Sequence, residues 1–154
     1  MSATGPVSLP HTWRPLGARM AATVFGAMLL VVVVATWISF GADVRARFTL
    51  FQRSTLVFLG LLAFACWFAL VRSRVTAAEQ GLTVVNGYRR REFAWSQVIA
   101  VHLRRGAPWA VLDLSDGTSV SVVALQGSDG DRAARAVRDL RQLVAEHSRT
   151  ERND

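Results

Sequence analysis

Residues 21–42 run for 22 positions without a charge or a proline, through the consecutive valines Val31, Val32, Val33 and Val34. A bilayer core about 30 Å thick is crossed by about 20 mainly apolar residues rising about 1.5 Å each, so this run predicts a membrane-spanning helix. A secretory signal would also put Arg14 and Arg19 before an apolar run, but its apolar region is about 7 to 15 residues long and ends at a small-residue cleavage site. The run here is longer, and no A-x-A pattern follows it directly.

Residues 54–71 form a second uncharged run, 18 positions long. Its ten large apolar side chains contribute on the order of 3 to 6 kcal/mol to insertion as an upper bound. A polar connection, residues 43–53, separates the two runs, so they predict an antiparallel transmembrane hairpin, residues 21–71, that returns the chain to its starting side. Arg14, Arg19, Arg72, Arg74 and Arg89 to Arg91 outweigh Arg45, Arg47 and Arg53 in the connection. The positive-inside rule then puts both termini in the cytoplasm of a multi-pass protein of the plasma membrane. Ala22 and Gly26 on the first span, and Ala65 and Ala69 on the second, are small residues four apart. They would let the helices approach closely, or simply reflect how common Ala and Gly are in such helices. Residues 1–20 read as a flexible tail in which Trp13 sits in the headgroup layer or lies exposed.

The remainder is differently composed. From Arg72 onward there are 13 arginines and 10 acids, against five arginines and Asp43 alone before it. The pI near 11.5 therefore spreads over both halves and gives no basic patch of the kind that reads nucleic acid. One cysteine, Cys66, rules out an intrachain disulfide.

Beyond Arg74 the hydrophobic period falls to two. Val75 to Ala78 and Leu82 to Val85 read as strands. Asn86-Gly87 predicts a type I′ hairpin, with Tyr88 to Phe93 returning. Val98 to Arg104 forms a strand with Val98, Ala100 and His102 on one face and Ile99, Val101 and Leu103 on the other. Trp109 to Leu114, a Ser115-Asp116-Gly117 turn and Thr118 to Val122 complete a second hairpin. After Gln126 the period turns helical: Ala133, Ala136, Val137, Leu140, Leu143 and Val144 share a face, with Ser128 or Asp129 as cap. Residues 147–154 read as a polar tail.

Two spans, about six antiparallel strands and one amphipathic helix, with Gln80-Gly81-Leu82-Thr83-Val84-Val85-Asn86-Gly87 and Phe93-Ala94-Trp95-Ser96-Gln97-Val98, resemble the bacterial pleckstrin-homology-like (PH) domains. The segment resembles in particular the actinobacterial group named after a low-molecular-weight protein antigen. The resemblance implies an α+β membrane protein: a transmembrane hairpin, then a PH-like antiparallel barrel or sandwich over residues 72–146, capped by the C-terminal helix. It makes Trp95 a core or corner residue. Eukaryotic relatives of the fold bind phosphoinositides through basic residues of the first hairpin loop; here that loop would be Glu79-Gln80-Gly81, without a base, so the activity does not carry over.

The resemblance brings no catalytic residues and no cofactor. His11, His102 and His147 stand without Cys or carboxylate at ligand spacing, which argues against a metal, and no nucleophile or phosphate-loop motif occurs. Arg89, Arg91, Arg104 and Arg105, with Trp109, are the candidates for contact with a lipid or partner; Arg90 alternates to the opposite face. The sequence thus predicts a non-catalytic interaction or scaffold module held at the membrane, meeting membrane lipids and another membrane or membrane-associated protein. The alternatives are a sensor of anionic lipid headgroups through the arginines, or charges that merely discourage edge-to-edge pairing.

Overall fold

The computed structural model describes residues 8–150. The first element is a strand ahead of the hairpin, β1 (His11–Trp13), followed by α1 (Gly17–Ser39), a short α2 (Ala42–Arg47) and α3 (Leu50–Arg72). Six strands follow: β2 (Arg74–Ala78), β3 (Gly81–Asn86), β4 (Arg89–Phe93), β5 (Val98–His102), β6 (Trp109–Leu114) and β7 (Ser119–Gln126); α4 (Asp131–Thr150) closes the chain.

Both apolar helices have 23 residues, long and apolar enough to cross a membrane, and neither buries a residue within the protein. They begin four residues earlier than the uncharged runs because Arg19 and Arg53 fit the first turns. Trp67 Nε1 donates to Thr23 Oγ1 across the pair at 3.1 Å. At the far end Phe40 and Phe48 stack and Trp37 meets both edge-on, with centroids 5.3 to 6.5 Å apart. Thr49 and Gln52 cap α3 reciprocally, and Arg53 donates to the Arg45 carbonyl. The connection is therefore a built turn.

The strands form two open antiparallel sheets, β1-β2-β3-β4 and β5-β6-β7, consistent with the PH-like sandwich. Val75, Ala77, Leu82 and Val84 from one sheet meet Val98, Val101, Leu112, Val120 and Val122 from the other, and Ala136, Val137, Leu140 and Leu143 of α4 close the core. Trp95 sits at the corner in a 3₁₀ turn, its Nε1 bonded to the Ala78 and Glu79 carbonyls, its ring stacked on His147 at 4.6 Å.

Several local expectations are corrected. Residues 1–7 of the expected tail lie outside the described residues, but residues 8–20 are not a tail: His11, Thr12 and Trp13 pair with Ala77, Thr76 and Val75, and Trp13 and Leu9 pack on the core instead of reaching for headgroups. β1 thus adds a strand from ahead of the hairpin to the sheet of the domain expected over residues 72–146. The β3–β4 loop is Gly87-Tyr88, since Asn86 pairs with Arg89; Gly87 alone has positive φ, the pattern of type II′. A bulge between Val98 and Ala100 shifts the phase of β5, so Val98 and Val101 both face the core and Ile99 is 64% exposed. His147 lies within α4, where the stack on Trp95 holds it.

Two outcomes are expected. A fragment of residues 73–147 lacks β1; it should melt roughly 8 °C below a version in which residues 8–15 are joined to Ser73 through Asn-Gly, for about 1 to 2 kcal/mol of lost Trp13 and Leu9 burial. Equal melting would mean β1 adds nothing. In the β6–β7 turn, the Thr118 hydroxyl and then its N–H, both donating to Asp116, hold that carboxyl below its ordinary value. This support exists above the ordinary carboxylate range, about 3.9, and is lost as pH falls through the lower folded value. Thr118→Val should raise the Asp116 pKa part of the way back in an NMR titration.

Candidate interaction site at the base of the domain

The domain meets the hairpin at both junctions. Where the chain enters α1, Pro15 is fully buried. The first amides of the helix have no partner within it; those of Leu16 and Gly17 donate to the Asp129 carboxylate at 3.1 and 2.9 Å. Asp129, expected to cap α4, thus caps a helix 112 residues earlier. The turn that carries it is fixed by Gly127 N–H donating to the Pro108 carbonyl.

Where the chain leaves α3, Ser73 is 1% exposed. Its hydroxyl donates to the Ala69 carbonyl and accepts the Gly87 N–H, both at 3.0 Å. A Cβ on Gly87 would come within 3.3 Å of the Ala69 side chain, so the β3–β4 loop lies directly on α3. Tyr88 donates to the Ala65 carbonyl at 2.8 Å and tilts over Phe68, on whose ring the Arg72 guanidinium also rests at 5.9 Å. The Ala65–Ala69 face therefore receives the β3–β4 loop. On α1, a Cβ at Gly26 would meet nothing within 4 Å, and Ala22 is half-buried; the bond between Trp67 and Thr23 links the helices instead.

Arg89 to Glu92 are all exposed on β4, the edge of its sheet. Arg90 pairs with Glu92 on one face, leaving Arg89 and Arg91 on the other. Arg104 and Arg105 are exposed in the loop after β5, in the other sheet. The four arginines are therefore two separate pairs.

Arg104 does share a depression of about 290 Å³ with His102, Ala107, Trp109, Val111, Asp113 and Ser119, and Trp109 is 39% exposed there. Asp113 bridges His102 at 3.3 Å and Ser119 at 2.8 Å. The Ser119 hydroxyl donates to the carboxylate and not to the imidazole, so the three groups do not form the Ser-His-Asp relay in which the imidazole takes the hydroxyl proton. Among the described residues no group of three or more His, Cys, Asp or Glu could hold a metal ion.

Sequence reasoning missed Asp129, Ser73 and Tyr88, the groups that fix the domain on the hairpin, and the role of Asn86. Its side-chain amide donates to the Ser121 carbonyl at 2.5 Å and accepts the Val123 N–H at 3.1 Å, tying β3 to β7. Asp129→Ala should cost about 1 kcal/mol, the usual loss for a helix cap, read as a lower melting temperature of the full chain in detergent. Asp129→Asn should keep most of it, and equal losses would point to the charge instead of the hydrogen bonds.

The family described as bacterial PH domain matches residues 72–143. Two uncharacterized proteins, one from Mycobacterium bovis and one from Mycobacterium tuberculosis, are each 32% identical over 141 residues, covering 90% of this chain and 87% of their own. That coverage takes in the hairpin as well as the domain. No solved structure matches the chain.

Proposed function

Because the chain belongs to the bacterial PH domain family, whose fold is a platform for binding more than for chemistry, we propose that it is a non-catalytic interaction module presented in a fixed orientation at the cytoplasmic face of the plasma membrane. The observation that carries this reading is the joining of β1 to β2 through the apolar hairpin. Two chain connections, with Asp129 and Ser73 bonded across them, restrict how the domain can turn on the hairpin. Confinement raises the effective concentration of partners in the same membrane, so a weak surface can still be occupied. The cytoplasmic assignment follows from Arg14, Arg19, Arg72, Arg74 and Arg89 to Arg91 on the domain side, against Arg45, Arg47 and Arg53 in the connection.

The test has two arms in cells expressing the full chain. With Cys66→Ser as background, single cysteines at Ala46 and Ser128 are treated with a membrane-impermeant maleimide; labelling at Ala46 alone is expected, and labelling at Ser128 in intact cells would reverse the orientation. A photo-crosslinking amino acid in place of Arg91, Ser121 or Arg135 should give adducts with membrane-resident protein from at least one position. Adducts with lipid alone at all three would replace the module by a headgroup reader.

A further inference from the structure

We infer that the outer edge of β4 takes an extended acidic segment of a partner protein as an added strand. The inference rests on the interaction-module reading and names the surface it uses.

Two open sheets have four edges, and three are occupied or short. On β7, the Asn86 amide satisfies Ser121 and Val123, a carbonyl and an amide two residues apart, as a neighbouring strand would. On β5, Arg141 Nε donates to the Val101 carbonyl at 2.5 Å, and α4 packs along the strand. β1 is only three residues long and runs into α1. β4 offers five residues, about 16 Å of extended backbone. Its ladder lies on the β3 side, and among the described residues no backbone group from Arg89 to Phe93 is bonded on the other.

Charge then selects what can pair. Arg90 is taken up by Glu92, while Arg89 and Arg91 have no side-chain partner among the described residues. They stand on one face about 6.6 Å apart, the two-residue repeat of a strand. An extended segment with acids at alternate positions matches that spacing. A second copy of β4 paired antiparallel about its middle would set Arg91 against Arg91 and Arg89 against Phe93, leaving the charges of that face unanswered, whereas an acidic strand answers both. Lipid headgroups would answer the guanidinium groups but leave the backbone edge unpaired. Tyr88, bonded to Ala65 inside α3, starts β4 beside the apolar helix, so the segment reaching it lies next to the membrane.

The test uses the full chain in phosphatidylcholine nanodiscs with a fluorescein-labelled six-residue peptide alternating Val and Glu. Expected are saturable anisotropy changes, slowed hydrogen exchange of the β4 amides, and affinity about tenfold weaker for Arg89→Ala/Arg91→Ala, the loss of two exposed charge pairs. The same peptide N-methylated at alternate residues should lose binding. Absence of binding, or equal binding of the N-methylated peptide, overturns the inference. So does unchanged β4 exchange with peptide alongside slowed exchange in nanodiscs containing phosphatidylglycerol, which would assign the arginines to headgroups. Protein adducts at Ser121 or Arg135 combined with any of these results would keep the module and move its surface elsewhere.

Discussion

The arrangement of this molecule depends on one pairing, that of His11 to Trp13 with Val75 to Ala77. Antiparallel strands that are neighbours in a sheet are usually joined by a short turn. Here the joint is the whole apolar hairpin. The helices must therefore start and end at the same edge of the same sheet, which fixes their spacing at the base of the domain. The polar contacts found there follow from that closeness: Asp129 on the first turn of α1, and Ser73 and Tyr88 on the last turns of α3.

The pairing also changes how the family resemblance applies. With β1 upstream, the first connection between strands is the hairpin itself, and Glu79-Gln80 joins the second and third strands. The loop without a base, Glu79-Gln80, is thus the second connection between strands in this fold.

Much of the fold was legible in the sequence because it rests on long, uniform patterns. The two long apolar helices, the alternation of β6 and β7, and the single face of α4 needed only period and length. β1 was not legible: three residues of mixed polarity carry no period, and their place comes from what the hairpin holds beside them. The bulge at Ile99 was hidden because an apolar residue leaving the core looks like one entering it. Asn86 was misread because its amide serves β7, which no local turn rule contains. At the candidate site, alternation correctly separated Arg90 from Arg89 and Arg91. The division of Arg89 and Arg91 from Arg104 and Arg105, and the openness of the β4 edge, required knowing which strands end each sheet.

The distance in sequence between β1 and β2 bears on how the sheet assembles. A ribosome releases Trp13 well before Val75 and longer still before Asp129; at 5 to 20 residues per second the wait for the last of these is on the order of ten seconds. Until Val75 emerges β1 has no strand beside it, and until Asp129 does α1 has no cap. The sheet closes only when both ends of the hairpin have come back together, so a finished domain is a record that the hairpin before it has formed.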